Sequence, residues 1–148
     1  KNPVFVVVLN GAFMFAADLL KHITIPCEVT FVKVTSYEGE TSTGKVKSLI
    51  GLKYDLTDRE VVIVEDIVDT GQTIEDIIGQ MKQYMPEDIH IATLLYKPEA
   101  YTKDIPIEYV ALEVPNDFLV GYGLDYDEQG RNLKDIYAIV KEEETIQT

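Results

Sequence analysis

The chain has 148 residues, of which 46% are hydrophobic and 26% are charged, and this is the size and apolar content of one soluble domain with its own core. Its formal net charge of -13 argues against a broad electrostatic surface for nucleic acid or anionic lipid. The single cysteine excludes an internal disulfide, and no apolar run reaches the roughly 18 residues that span a bilayer, so we expect a cytoplasmic protein without nucleic-acid or membrane partners.

The first part of the chain predicts a strand, a helix and a second strand. Residues 4–9 are continuously apolar and mostly β-branched, which is typical of a strand buried on both faces, and the turn at 10–11 ends it. Apolar side chains then recur at helical spacing until Pro26 (Phe15, Ala16, Leu19, Leu20 and Ile23). The second strand ends near Ser36 and Tyr37.

Residues 38–48 contain mainly Gly, Ser, Thr and charged side chains, with almost no apolar content. A segment of this composition cannot bury itself, and loops of this length in compact domains are usually functional. We therefore expect a long mobile loop that acts as a lid.

The second part of the chain alternates strands with a helix. Its strand signals lie at four places (61–64, 91–96, 107–112 and 136–140). A helix follows the first of them, with Ile74, Ile77 and Met81 on one face. This alternation predicts an α/β fold with a mainly parallel central sheet flanked by helices.

The remaining segment, residues 115–133, is rich in Gly, Asp and Tyr and predicts a flap folded over one edge of the sheet. We call it the hood segment. No repeat or linker divides the chain, so the prediction is a single domain over residues 1–148.

The loop after the strand at 61–64 concentrates polar chemistry at the edge where open α/β sheets bind ligands. Three carboxylates lead into Thr, Gly and Thr at a helix start (Glu65, Asp66, Asp69, Thr70, Gly71, Gln72 and Thr73). The helix start offers backbone N–H groups to a phosphate, and the first two acids can accept hydrogen bonds from sugar hydroxyls. A sugar-phosphate site is one interpretation, and a solvated turn or a magnesium site of the receiver-domain kind are alternatives.

Residues 61–73 closely resemble the phosphoribosyl pyrophosphate signature of type I phosphoribosyltransferases, which is a β-branched run, two acids, two apolar residues and Asp-Thr-Gly-x-Thr. Further resemblances follow in the family's order. They are the pyrophosphate loop (Leu9, Asn10, Gly11), the start of the lid (Ser36, Tyr37), the base-recognition lysine (Lys97), and the purine and pyrophosphate segment of the hypoxanthine-guanine branch (117–126 with Arg131). The resemblance covers roughly residues 4–140.

The resemblance implies transfer of a phosphoribosyl group from phosphoribosyl pyrophosphate to hypoxanthine or guanine, with Mg²⁺, by a homodimer or homotetramer. Asp69 would accept the purine N7 proton while Ser36 and Tyr37 close over the reacting centre. Lys97 would donate to the 6-oxo group, and Phe118 would stack on the base.

Further roles are implied in the same way. Leu119 would offer backbone groups to the ring edge. Asp125 would contact both the base and the metal. Glu65 and Asp66 would be the other carboxylates at the metal. The groups that would bind phosphoribosyl pyrophosphate come from three segments (Asn10, Gly11, Glu65, Asp66, Asp69, Thr70, Gly71, Gln72, Thr73 and Arg131).

Two departures from the family pattern stand out. Asn10 occupies a position that is often lysine, so a cationic contact to pyrophosphate is missing there. The family's N-terminal segment is largely absent, which predicts a small and incomplete hood.

Each site residue also has a plainer interpretation. Asp69 suits a helix cap, Lys97 a strand end, Phe118 the core, and Arg131 the surface. Three rival functions also stay open. They are a phosphoribosyltransferase for adenine, orotate or uracil, a regulator that senses phosphoribosyl pyrophosphate and binds nucleic acid, and a magnesium-dependent phosphoacceptor domain.

Overall fold

The computed structural model describes residues 2–38, 45–52 and 55–140. Their elements in chain order are β1 (Val4–Leu9), α1 (Phe13–Leu20), β2 (Glu28–Glu38), β3 (Lys45–Ile50), β4 (Glu60–Val68), α2 (Gln72–Met81) with a 3-10 turn (Lys82–Tyr84), β5 (Asp88–Tyr96), β6 (Tyr109–Glu113), β7 (Leu119–Val120) and β8 (Tyr137–Ala138). In this part of the chain the main sheet has the order β3-β2-β1-β4-β5-β6.

The predicted α/β fold with a mainly parallel central sheet is confirmed. β1 pairs parallel with β2 and β4, β4 with β5, and β5 with β6. The helices cover opposite faces, since α2 packs on the side of β1 that carries Val4 and Val6, and α1 on the side that carries Phe5 and Val7. Successive side chains of a strand point to opposite faces, so β1 is apolar throughout because both faces are buried.

The sequence predicts a loop at 38–48, and for residues 45–48 this prediction is wrong. They belong to β3, which pairs antiparallel with the end of β2 and places Lys45 opposite Glu38. An edge hairpin satisfies backbone hydrogen bonds by pairing, so a polar sequence can form it without burying both faces. Residues 39–44 of the predicted lid lie outside the described residues.

The strand predicted at 61–64 is longer than its apolar run. β4 continues to Val68, so Glu65 and Asp66 belong to the strand and not to the loop after it. β5 runs alongside and pairs Val68 with Tyr96, so the backbone ladder extends past the acidic residues. The loop proper is therefore only residues 69–71.

The strand predicted at 136–140 does not join the main sheet. It shortens to β8 and pairs antiparallel with β7. Strand propensity marks a segment that can pair but does not select its partner. The hood segment is anchored separately, because Leu124 is buried against Leu94 and Leu95 of β5.

Among the helices of the described ranges, none has the length and apolar content needed to cross a bilayer.

A charged contact joins the start of β5 to the residue that precedes β6. His90 Nδ1 contacts the Glu108 carboxylate, and His90 Nε2 lies 3.5 Å from Asp88 Oδ2. The hydrogen bond with Glu108 is the main cause that raises the pKa of His90, with further contributions from the charges of Asp88 and Glu60, although partial burial acts in the opposite direction.

This contact predicts a pH-dependent contribution to stability. Because the folded-state pKa is raised, the contribution is fully present below the unfolded value of about 6.5 and is lost as pH rises through the folded value. His90→Gln should lower the free energy of unfolding at pH 5.5 by less than about 1 kcal/mol, since water screens the pair, and by nothing at pH 9. Urea unfolding at both pH values measures the difference, and an equal loss at the two would contradict the ion pair.

Candidate active site

The site lies at the carboxyl ends of β1, β4 and β5. Three connections leave the sheet there, at residues 10–12, 69–71 and 97–108, and the hood segment contacts the first of them. This is the edge at which parallel α/β sheets bind ligands, because loops and helix N-termini converge there.

The start of α2 forms one wall of a cavity of about 190 Å³ lined by residues 65–74. The N-cap is Gly71, whose φ of 94° is left-handed and which has no side chain to cap the helix, and the Gln72 amide donates to the Thr70 hydroxyl at 3.4 Å. The helix dipole is positive at this end, which favours a bound anion. The alternative that Asp69 caps this helix is wrong.

The loop at residues 69–71 is held from behind by the β5–β6 connection. The backbone N–H and the hydroxyl of Thr102 both donate to the Thr70 carbonyl, at 3.1 and 3.2 Å. A Cβ on Gly71 would lie 2.6 Å from the Tyr101 ring and 2.7 Å from Lys103 Cγ. Sequence reasoning missed these three residues, and no motif or spacing marks them, because only the path of the connection brings them back to the loop.

The paired acids at the end of β4 lie at the floor of the site. Glu65 is 4% exposed, and its Oε2 accepts a hydrogen bond from the Asp66 amide at 3.3 Å. Asp66 Oδ1 accepts from the Ile67 amide at 2.8 Å. Burial raises the pKa of the Asp66 carboxyl, although its hydrogen bonds with the Glu65 side chain and with the Ile67 amide and the charge of Arg131 act in the opposite direction.

Gly11 touches this acid pair. A Cβ added to Gly11 would lie 1.9 Å from Asp66 Oδ2 and 2.7 Å from Asp66 Cγ. The predicted pyrophosphate loop and the predicted sugar-binding acids are thus in direct contact. Asn10 is exposed at the turn and follows a cis peptide bond from Leu9.

Lys97 and Asp69 form an ion pair between the ends of β5 and β4. The Lys97 side chain is 8% exposed and its Nζ lies 3.2 Å from Asp69 Oδ2, whereas the Asp69 side chain is 50% exposed. Lys97 also donates its backbone N–H to the Val68 carbonyl at 3.0 Å. The ammonium is therefore buried, with a carboxylate partner that faces the cavity.

A second cavity, of about 220 Å³, gathers the predicted base-binding residues with the acids of β4. Its lining is Asp66, Ile67, Asp69, Lys97, Phe118, Leu119, Leu124 and Asp125. Phe118 is 63% exposed, so it is not a core residue, and its ring meets that of Tyr126 edge to face with centroids 5.9 Å apart.

The backbone of Leu119 also faces away from its partner strand. The Ile139 amide donates to the Phe118 carbonyl at 2.8 Å, which makes these two residues a hydrogen-bonded pair. In antiparallel strands such pairs alternate with non-hydrogen-bonded ones, so the N–H and C=O of Leu119 point away from Ala138.

Asp125 and Arg131 are held together within the hood segment. Arg131 Nη2 lies 3.3 Å from Asp125 Oδ1, and Arg131 Nη1 donates to the Gly123 carbonyl at 2.9 Å. Asp125 Oδ2 accepts from the Glu128 amide at 3.0 Å. A guanidinium has five N–H donors, so these contacts leave donors for a phosphate oxygen.

Ser36 and Tyr37 lie near the end of β2, where they pair with Lys47 and Val46 of β3. Their role as lid residues stays a prediction.

Within the described ranges, no three carboxylate, imidazole or thiol groups converge closely enough to hold a metal ion on their own. Mg²⁺ commonly binds through one or two carboxylates together with substrate phosphates. The oxygen donors of Asp66 and Asp125 around one cavity suit that mode of binding.

Comparison with known proteins agrees with this geometry. A family model described as a phosphoribosyl transferase domain matches residues 1–127. The hypoxanthine-guanine phosphoribosyltransferase of Streptococcus thermophilus is 45% identical over 144 residues, which are 97% of this chain and 79% of that protein. The corresponding protein of Streptococcus mutans is 43% identical with the same coverage.

Solved structures give the same result. A hypoxanthine-guanine phosphoribosyltransferase from Bacillus anthracis superposes with a TM-score of 0.83 at 35% identity and covers 95% of this chain and 83% of its own. A hypoxanthine phosphoribosyltransferase from Staphylococcus aureus gives a TM-score of 0.82 at 36% identity, with coverage of 95% and 77%.

The contact between Gly11 and Asp66 predicts that Gly11→Ala is destabilising. The methyl group would push against a carboxylate that is held by its neighbours, and overpacking of this kind costs about 1 to 3 kcal/mol. Gly79→Ala is the matched control, because a Cβ there meets nothing within 4 Å and alanine in a helix is favoured by about 0.5 to 1 kcal/mol. Urea unfolding of both variants measures the contrast, and equal stability of the two would rule out the tight packing.

Proposed function

The chain belongs to the phosphoribosyltransferase family, among the hypoxanthine-guanine phosphoribosyltransferases, and on that premise we propose how it acts. It transfers the 5-phosphoribosyl group of phosphoribosyl pyrophosphate to a 6-oxopurine, hypoxanthine or guanine, and releases pyrophosphate and the purine nucleotide in purine salvage. The observation that carries this proposal is one cavity that combines the buried ammonium of Lys97, the exposed ring of Phe118 and the acids of β4.

The phosphate end of the substrate suits the start of α2. The N-cap there is a glycine, which lets a phosphate approach the backbone closely, and the loop before it is fixed from behind by Thr102. A 5′-phosphate placed there would receive backbone hydrogen bonds and the favourable helix dipole without needing a basic surface. This is consistent with binding of a phosphorylated sugar by a chain of net charge -13.

The ribose would lie over the acids at the end of β4. Asp66 faces both cavities and can accept hydrogen bonds from the ribose hydroxyls, whereas Glu65 is nearly enclosed and lines only the first cavity. Mg²⁺ would be held by Asp66 and Asp125 with substrate oxygens, with Glu65 as a supporting acid, and when bound it would neutralise the charge of the leaving group.

The base would be recognised from two sides. The Lys97 ammonium can only donate hydrogen bonds. It therefore suits the 6-oxo oxygen of hypoxanthine or guanine, and it disfavours adenine, whose 6-amino group is itself a donor. Phe118 offers a ring face for stacking, and the outward N–H and C=O of Leu119 can meet the ring edge.

Asp69 would accept the purine N7 proton. Its carboxylate is half exposed towards the cavity, and its contact with Lys97 links the proton acceptor to the group that holds the 6-oxo oxygen. As the base forms its bond to the sugar, the proton passes to Asp69 and pyrophosphate leaves towards Gly11 and Arg131. Ser36 and Tyr37 would close over this centre and exclude water.

We also propose the cytoplasm as the compartment and a homodimer or homotetramer as the assembly. A chain with one cysteine has no internal disulfide, as is usual in a reducing compartment. Exposed apolar side chains such as Ile25 and Tyr109 line a groove of about 540 Å³ that self-association would cover. Light scattering after gel filtration measures the assembly.

Incubation with Mg²⁺, phosphoribosyl pyrophosphate and each base in turn tests the function. Nucleotide should form with hypoxanthine or guanine and depend on Mg²⁺. Formation from adenine, orotate or uracil instead would support the rival transferases, and no nucleotide with any base would remove the proposal.

Asp69→Asn should lower turnover by roughly 10²- to 10⁴-fold, because it removes the proton acceptor. The amide oxygen can still accept from Lys97, so the site should stay intact and substrate affinities should change little. Asp58→Asn, at the opposite end of β4, is the control. Steady-state kinetics at neutral pH decide, and turnover of Asp69→Asn near that of the control would remove Asp69 from this role.

Lys97→Met keeps the apolar stem and removes the donor. Activity on hypoxanthine and guanine, as kcat/KM, should fall on the order of 10²-fold, because a polar group of the bound base is left without its charged partner. The affinity for phosphoribosyl pyrophosphate should change little. Lys134→Met, an exposed lysine beyond the hood segment, is the control. Full activity of Lys97→Met would show that another group recognises the base.

A further inference from the structure

A hydrogen bond joins the hood segment to helix α1. The Tyr122 hydroxyl donates to Asp18 Oδ2, across 104 positions of sequence. This bond lowers the pKa of Asp18, and burial together with the bond raises the pKa of Tyr122 to about 12. Near neutral pH the phenol is therefore protonated and the carboxylate ionised, which makes the bond charge-assisted.

The residue after Tyr122 rests on the predicted pyrophosphate loop. A Cβ added to Gly123 would lie 2.3 Å from the Gly11 carbonyl oxygen, so the two backbones are in contact. Gly11 in turn touches Asp66. The hood segment, the loop after β1 and the acids of β4 thus form one continuous stack.

Tyr122 adjoins the residues that fix Asp125 and Arg131. Gly123 donates its N–H to the Arg131 carbonyl at 2.9 Å and accepts from Arg131 Nη1 at the same distance. Arg131 forms an ion pair with Asp125, and its positive charge also acts on Asp66. A displacement of Tyr122 would therefore be transmitted to Arg131 and Asp125.

The backbone at this point does not explain why a tyrosine is present. The φ angles of Gly121, Tyr122 and Gly123 are 103°, 49° and 101°, all in the left-handed region. A side chain there costs about 1 kcal/mol, and Gly or Asn would fit the conformation better. The ring and hydroxyl of Tyr122 must therefore offset this cost through their contacts, of which the bond to Asp18 is the polar one.

From these contacts we infer that Tyr122 and Asp18 are positioning residues, which hold Arg131 and Asp125 over the loop at Asn10 and Gly11 and so set the affinity for the pyrophosphate group. The inference rests on the proposed function. Asn10 carries no charge, so Arg131 supplies the cation on this side, and its placement decides how tightly the group is held.

The test compares Tyr122→Phe and Asp18→Ala with Tyr137→Phe, which removes the hydroxyl of an exposed tyrosine in β8. The first two should raise the KM for phosphoribosyl pyrophosphate and the Kd of magnesium pyrophosphate by about 5- to 10-fold. The KM for hypoxanthine should stay within about twofold, because Phe118 and Leu119 are held by the pairing of β7 with β8. Asp18→Asn keeps an acceptor and should restore most of the affinity.

The double variant Tyr122→Phe/Asp18→Ala decides whether the two residues act through each other. Its effect should be no larger than that of one single variant, whereas effects that multiply would overturn the pairing. Unchanged pyrophosphate affinity in Tyr122→Phe would also overturn it. Calorimetry with magnesium pyrophosphate needs no turnover, so the inference can fail while nucleotide formation by the unmodified protein upholds the proposed function.

Discussion

The ion pair between Lys97 and Asp69 is the interaction around which the site is built. Burying an ammonium is costly unless a carboxylate or hydrogen bonds compensate for lost water. The parallel pairing of Val68 with Tyr96 supplies that compensation, because the next residues of β4 and β5 then emerge side by side. The order of the strands thus places the Lys97 ammonium beside the Asp69 carboxylate, the two groups that we propose bind the base and accept its proton.

The apolar sheet supplies a rigid support, and the loops at its polar edge form the site. β1 and β4 are buried by α1 and α2, so their carboxyl ends have little freedom to move. The loops that leave this edge are then fixed by contacts with one another, with Thr102 behind Thr70 and Gly123 against Gly11. A rigid sheet with mutually supporting loops is what preorganised binding of a charged substrate requires.

The sequence predicted the elements whose signals are local. The apolar run of β1, the helical spacing of α2 and the acids before Gly71 indicated the sheet, the helix and the loop between them, because strand and helix periodicity follow from burial. It could not predict that β3 pairs with β2, that β8 joins β7, or that Tyr101 and Thr102 support the loop at 69–71. Those features depend on which distant segments meet, and residue type carries little information about a partner across tens of residues.

The most direct measurement is a crystal structure of the protein with a 6-oxopurine nucleotide bound. The purine should lie against Phe118, with its 6-oxo oxygen about 2.7 to 3.2 Å from Lys97 Nζ and its N7 facing Asp69. The 5′-phosphate should lie at the start of α2. A nucleotide whose base lies away from Lys97, with the ion pair to Asp69 unchanged and no contact to the 6-oxo group, would contradict the assignment of this cavity as the base site.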